Sequence, residues 1–140
     1  MASLIYNNAL WNQVKGTIDF DTDTFKCMLL TNAYTPNKDT DNFLNDVEAH
    51  QVTGTAYTAG GAAATVSVAA IDTANDRVEV TLGAVSWPAS TITARYGVYY
   101  KSRGGASSAD ELIAVIDFGS DIASVGGTFS LTASTLRFQN

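Results

Sequence analysis

The sequence predicts a mainly β protein, an antiparallel β-sandwich or jelly roll with a short N-terminal helix. Short apolar runs, alternating or continuous, recur along the chain between turn-forming residues, which is typical of strands in such folds. Charged residues make up only 16% of the chain, and the polarity that Thr, Ser and Asn supply instead suits pleated strands. After residue 50 no helical pattern separates the strands, which argues against parallel βαβ units.

The length of 140 residues predicts a single domain, 1–140, with an N-terminal helical segment (1–16) and a β-sandwich (17–140). A chain of this length buries about two-thirds of its unfolded surface, so it needs neither a disulfide nor a metal to fold. Cys27 is the only cysteine and lies in an apolar run, where a thiol behaves as a small buried hydrophobe. The missing disulfide argues against an oxidising compartment.

The N-terminal helix is predicted from apolar residues between Leu4 and Val14, which recur at helical spacings of one, three and four positions. Ser3 is placed to cap the start of this helix, and Gly16 is placed to end it. Because the helix is short, packing against the rest of the protein must stabilise it.

In the first half of the chain, the apolar run over 25–31 predicts a buried strand. Residues 35–41 are dense in turn formers. The pattern over 41–47 predicts one or two helical turns. The expected cap of these turns is Asp41, and the residues expected to face inward are Phe43, Leu44 and Val47.

In the second half, a short strand at 51–52 and a flexible loop precede a series of longer strands. The predicted strands are 64–70, 77–82, 91–101 and 112–118, followed by a closing strand over 126–138 that contains a β-bulge. Residues 77–82 alternate cleanly, so one face is expected to contact water, whereas the apolar run 112–118 is expected to be covered on both faces. Pro88 has no amide hydrogen to donate and is expected at a strand end or sheet edge.

The formal net charge of −6 argues against two classes of partner. The eight basic residues are scattered and form no stripe that could replace phosphate counterions or bind an anionic membrane surface. The chain starts without the basic residues and apolar core of a signal peptide, and no apolar run approaches the roughly 20 residues that span a bilayer. We therefore expect neither a nucleic-acid nor a membrane partner.

The chain carries few residues suited to catalysis, and we expect no catalytic residue and no cofactor. His50 is the only histidine, and Glu48 could pair with it, but no nucleophile motif accompanies the two. No His/Cys cluster has the spacing of a zinc site. The sequence therefore favours a protein that is not an enzyme.

Three alternating carboxylates, Asp19, Asp21 and Asp23, resemble the start of a calcium loop. Such a loop needs Gly at its sixth position and Glu at its twelfth, and this chain has Thr24 and Leu30 there. A solvated strand face is the preferred interpretation, with no metal, although a looser Ca²⁺ site stays open. A second acidic group receives the same interpretation: Asp39, Asp41 and Asp46.

The glycine pairs and the aromatic residues have ordinary structural interpretations. Neither Gly60–Gly61 nor Gly104–Gly105 precedes the Lys-Ser/Thr of a phosphate-binding loop, so both pairs are expected at mobile loop tips. An aromatic group could form a sugar-binding or protein-binding surface, but core or sheet packing is preferred. This group comprises Trp87, Tyr96, Tyr99 and Tyr100.

Five segments together resemble small structural proteins of tailed-bacteriophage virions. In chain order they are LIYN (4–7), DTDTFKCMLLTNAYTPNKDT (21–40), VTGTAYTAGG (52–61), TITARYGVYYK (91–101) and LIAVIDFGS (112–120). The resemblance covers nearly the whole chain and brings no catalytic residues with it. It implies a component of the virus particle made in the cytoplasm of the host bacterium.

The resemblance, with the small size, the acidity and the predicted sandwich, implies a capsid decoration or cement protein. Such a protein binds the outer surface of the head and bridges neighbouring subunits of the major capsid protein, and a dimer or trimer of this chain is expected. The alternative is a tail, neck or receptor-binding component. That alternative is motivated by the glycine-rich loops 54–61 and 102–109 and the nearby tyrosines.

The candidate interface is the N-terminal segment through Trp11, with Leu4, Ile5, Tyr6 and Trp11 as the residues expected to contact the shell or a sister subunit. An equally weighted alternative is that this helix only closes one end of the sandwich.

Overall fold

Two antiparallel sheets and one short helix form the protein in the computed structural model, which describes residues 3–140. The elements in chain order are β1 (Leu4–Ile5), α1 (Asn7–Val14), β2 (Phe25–Leu30), β3 (Ala62–Ala64), β4 (Val66–Val68), β5 (Arg77–Leu82), β6 (Val85–Lys101), β7 (Leu112–Leu131) and β8 (Ser134–Gln139). Three 3-10 turns lie at Leu44–Asp46, Glu48–His50 and Ser107–Ala109. The predicted fold class, a mainly β sandwich-like protein with a short N-terminal helix, is confirmed.

The strands are divided between a five-stranded sheet, in the order β1-β7-β6-β2-β3, and a three-stranded sheet, in the order β4-β5-β8. Three chain segments pass from one sheet to the other: β3 into β4, β5 into β6, and β7 into β8. At one crossing the Gly83 amide donates to the Thr65 carbonyl at 2.6 Å. A Cβ on Gly83 would lie 2.6 Å from that same oxygen, so the crossing requires glycine.

The hairpin of β6 and β7 is long, and it is bent so that residues far apart along it, and Gly83 just before β6, come into contact. The Tyr99 hydroxyl donates to the carbonyl of Gly83 at 2.8 Å, and a Cβ on Gly97 would lie 2.8 Å from Leu131 Cδ2. The register of the hairpin shifts between Trp87 and Ser90 and again near Ala94. Such shifts are typical of β-bulges, which bend a strand.

Pro88 does not end a strand, but it does lie at a sheet edge, as predicted, because residues 85–90 of β6 pair with β7 and with no other strand among residues 3–140. Pro88 lies inside β6, between Trp87 and Ser90, where the register shifts. A bulge takes residues out of the ladder, so a strand can contain proline there without losing a paired amide.

The part of the five-stranded sheet that contains β2, residues 96–100 of β6 and residues 112–115 of β7 is buried on both faces. One face packs against the three-stranded sheet through a core that includes Phe25, Cys27, Leu29, Trp87 and Phe129. The opposite face is covered by the segment between β2 and β3, and this second core is made by Tyr6, Met28, Leu30, Tyr34, Leu44, Val47, Tyr96, Val98, Tyr100, Leu112 and Val115. Residues 112–115 are fully covered, as predicted for the start of the apolar run 112–118.

Two segments that were each predicted as one strand are divided between the two sheets. The strand over 64–70 is broken at Thr65, because β3 pairs with β2 in one sheet and β4 pairs with β5 in the other. The closing strand over 126–138 is likewise divided between β7 and β8 at residues 132–133. The change of phase that predicted a bulge there is a change of sheet, and the β5–β8 register is regular throughout.

The N-terminal helix begins later than predicted. Leu4 and Ile5 pair with Val115 and Ala114 as an edge strand, and the helix begins at Asn7. Ser3 does not cap it, since the Ser3 hydroxyl accepts the Asp117 amide at 2.9 Å. Gly16 does end the helix, with a left-handed φ of +75°.

Candidate docking surface on the N-terminal helix

The four residues of the predicted interface do not share one surface. Leu4 and Ile5 are half-buried in β1 and contact opposite cores. Tyr6 is fully buried and contributes to the second core, so it is not available for docking in this fold. Trp11 remains exposed, with 63% of its surface accessible. The helical spacing was misleading because residues 4–5 alternate as a strand and place Tyr6 inside.

The exposed side of α1 carries an apolar stripe, which we call the helix patch: Leu10, Trp11 and Val14. Val14 follows Leu10 by four positions and Trp11 by three, so the three side chains share one face, and Val14 is 88% exposed. The opposite side buries Ala9 beside polar side chains. This is the reverse of an ordinary surface helix, which turns its apolar stripe toward the core. Sequence reasoning found the spacing but did not name Leu10 or Val14 as interface residues.

Hydrogen bonds fix α1 to the rest of the protein. The Asn7 amide donates to the Lys38 carbonyl at 3.0 Å, and the Asn7 side chain donates to Asp39 at 2.6 Å. The side chain of the next residue, Asn8, donates to the Asn42 carbonyl at 3.0 Å. The helix patch is therefore presented in one orientation, which lowers the ordering cost of binding a partner.

A chain of buried hydroxyl groups lies beneath the helix. The Tyr6 and Tyr34 hydroxyls are 2.8 Å apart, and Tyr34 donates to Asp41 at 2.6 Å. Burial raises the pKa of both tyrosines well above the usual range, so both stay neutral. Asp41 also accepts the Asn37 amide, so it fixes the preceding turn. The prediction that Asp41 caps the helical turns is wrong: Asp46 accepts the amides there.

His50 and Glu48 are not joined as a hydrogen-bonded pair. Glu48 accepts a hydrogen bond from the Ser107 hydroxyl at 2.8 Å. The His50 ring lies 5.8 Å from the ring of Tyr34, measured between ring centres. The structure thus places these two side chains against different neighbours.

The first acidic group forms a local turn. Asp19 accepts hydrogen bonds from the Asp21 amide and the Thr22 hydroxyl, and these bonds lower its pKa. Asp23 is paired with Lys101 at 2.8 Å. Within residues 3–140, no group of three or more His, Cys, Asp or Glu side chains is arranged to hold a metal ion.

The predicted aromatic group belongs to the cores. Trp87, Tyr96, Tyr99 and Tyr100 are all buried, which confirms the packing interpretation. The Trp87 ring packs edge-on against Phe129, with 6.0 Å between ring centres. No ring of this group offers a face to solvent for stacking on a ligand.

Comparisons with protein-family models, with curated proteins and with solved structures give no match to this chain. The resemblance to virion proteins therefore stays a prediction. None of the helices within residues 3–140 has the length and apolar character needed to cross a membrane.

Proposed function

We propose that this chain is a non-enzymatic structural protein of a tailed-phage virion, a decoration protein that binds the outer surface of the capsid. The helix patch carries the proposal. It is an apolar stripe on a helix that hydrogen bonds fix to the rest of the protein, and its side chains are exposed to solvent, with the Lys15 ammonium 5.3 Å from the centre of the Trp11 ring. Exposed apolar surface of this kind marks protein interaction sites, and tryptophan is enriched among the residues that dominate binding energy.

The partner would be the major capsid protein, with Trp11 entering a pocket at the junction between neighbouring shell subunits. A protein that binds only the assembled shell stabilises that assembly by mass action. A dimer or trimer of this chain would engage several shell subunits at once, so that weak single contacts give strong overall attachment. Such contacts would resist the pressure of packaged DNA.

Binding of the purified protein to expanded heads that lack it tests the proposal. We expect saturable binding at many symmetric positions, visible by cryo-electron microscopy of the mixed particles. The variant Trp11→Gln should bind heads at least roughly tenfold more weakly, since a dominant interface residue contributes about 2 kcal/mol or more. Its fold should be intact because Trp11 is largely exposed.

Ile71→Gln is the matched control, because Ile71 is another exposed apolar residue, at 74%, and lies outside the helix. This variant should bind heads like the parent protein. Equal binding by Trp11→Gln would remove the helix patch from the interface. A parent protein that never binds undecorated heads would count against the decoration role itself.

A tail, neck or receptor-binding role is the second candidate. One observation favours it: residues of the two glycine-rich loops line the same polar cleft. This role predicts few copies per particle, located at a vertex or along the tail. A reconstruction of intact particles distinguishes it from decoration of the shell.

A further inference from the structure

We propose that the cleft between the two glycine-rich loops is a binding site for a neutral sugar. The cleft has a volume of about 360 Å³ and is walled by Ala59 and Gly60 on one side and by Gly104 and Gly105 on the other. Its base includes Lys26 and Tyr100. The volume falls within the range of small-molecule sites in proteins.

The first wall is fixed, although the sequence predicted a mobile tip. The Gly60 amide donates to Gln51 Oε1 at 2.5 Å, and the Gly60 carbonyl accepts the Tyr100 hydroxyl at 2.7 Å. The Tyr57 hydroxyl donates to the same Gln51 oxygen at 3.0 Å. Both hydrogen-bonding groups of Gly60 are thus used to hold the loop against the sheet.

The second wall is closed by bonds across its base. The Arg103 amide donates to Asp110 at 2.8 Å, and the Arg103 guanidinium pairs with Glu111 at 2.6 Å. Ser107 joins this loop to Glu48. Because both walls are held by hydrogen bonds, the cleft exists before any ligand binds, as is usual for ligand sites.

Lys26 is the unusual residue of the cleft. It is half-buried on β2, a strand with neighbours on both sides. Across residues 3–140 every other basic side chain has a carboxylate or aromatic partner, whereas Lys26 has neither, nor any hydrogen bond. The Lys26 ammonium is therefore free to donate to a ligand oxygen in the cleft.

The remaining polar groups indicate the ligand class. Unused donors are the Lys26 ammonium, the Gln51 side-chain amide and the Ser102 hydroxyl, and the carboxylates of Glu48 and Asp110 are acceptors. Two carboxylates beside one ammonium disfavour an anion such as phosphate. Sugar hydroxyls both donate and accept, which matches this mixed set. Because Tyr100 is buried and offers no stacking face, affinity should be weak in one copy and should increase with multivalent display.

Titration of the isolated, isotope-labelled protein tests the site by amide chemical shifts. The probes are glucose, galactose, N-acetylglucosamine and inorganic phosphate. We expect saturable shifts with at least one sugar at the amides of Lys26, Gln51, Gly104 and Gly105, and weaker binding or none with phosphate. Lys26→Met keeps the apolar stem and should weaken sugar binding at least roughly tenfold, the effect of losing a hydrogen bond to a charged group.

Lys38→Met is the control, since Lys38 is exposed and lies outside the cleft. It should bind sugar like the parent protein, and the dispersion of the spectrum shows that each variant is folded. The proposal is overturned if no sugar gives saturable shifts at the cleft, if phosphate binds more tightly than every sugar, or if Lys26→Met binds as the parent does. Head binding plays no part in this experiment, so its failure leaves the decoration proposal standing.

Discussion

Two glycines with similar left-handed φ angles differ in the space around them. Gly61 and Gly104 both have a left-handed φ, of +78° and +74°. A Cβ on Gly61 would overlap the carbonyl oxygen of Cys27, whereas a Cβ on Gly104 would meet nothing within 4 Å. The pair therefore separates backbone strain from steric overlap.

Gly104→Ala should lower the free energy of unfolding by about 1–2 kcal/mol, the cost of a left-handed alanine. Gly61→Ala should cost clearly more, about 3 kcal/mol or above, because the neighbouring strand must move as well. Urea unfolding of both variants measures the difference. If both variants lost the same unfolding free energy, the loop that contains Gly61 could move away from β2 without a loss of stability.

The bulge in β7 is organised by Asp117. Arg95 donates to this carboxylate at 2.7 Å, and the Gly119 amide donates to it at 2.7 Å. The hydrogen bond from Arg95 is the largest cause of the pKa of Asp117, which is lowered to about 2; burial opposes it, and the bond from the Gly119 amide lowers the pKa further. In the unfolded chain the pKa is about 3.9.

The stabilisation from Asp117 should be complete above about pH 5 and disappear as the pH falls toward 2, because the unfolded chain takes up the proton first. Asp117→Asn should therefore weaken the pH dependence of the unfolding free energy in that range. Asp76→Asn is the control, since Asp76 is exposed and its carboxylate has no hydrogen bond or ion pair within residues 3–140. An unchanged pH dependence in Asp117→Asn would contradict this role.

At the scale of elements, the segment between β2 and β3 does more than connect two strands. It places Tyr34, Leu44 and Val47 over the outer face of the five-stranded sheet. The predicted helical turns do bring Leu44 and Val47 inward, as short 3-10 turns, and leave Phe43 half-buried. The segment thus buries the second face of the part of this sheet that it covers, which would otherwise contact water.

Leu44→Ala and Leu10→Ala provide a matched test of this second core. Leu44 is 5% exposed and Leu10 is 42% exposed. The first variant should lose about 2–4 kcal/mol of unfolding free energy and the second less than about 1 kcal/mol. Chemical denaturation measures both. Similar losses would indicate that the 31–50 segment contributes little to stability.

At the scale of the whole molecule, the three chain crossings link the two sheets. Cys27 lies in the core between the sheets and is fully buried, and burial raises the pKa of its thiol. Opening either sheet locally would strain the crossings, so we expect the thiol to become accessible only when the whole structure unfolds.

Labelling of Cys27 with a thiol reagent should therefore be at least about a thousandfold slower in the folded protein than in urea-unfolded chain, given typical domain stabilities. The rate should rise with urea along the same slope as global unfolding. Fast labelling that is insensitive to urea would show that β2 opens separately from the rest.

The sequence by itself determined the local features of this protein. Alternation over 77–82 placed β5, the apolar run over 25–31 placed β2, and Gly16 placed the end of the helix. These features follow from the side-chain periods of strands and helices and from the free φ of glycine, all of which act within a few residues.

Only the tertiary structure decided which surfaces these elements bury. The Ser3 contact with Asp117 spans 114 positions in the sequence, and the Tyr6 contact with Tyr34 spans 28. Such contacts turned residues 4–5 into a strand, buried Tyr6 and left Trp11 outside. The sheet crossings and the meeting of the two loops at the cleft also depend on contacts between residues that are distant in the sequence. Periodicity within one segment carries no information about the distant partner that will cover it, and that partner sets the exposed surface.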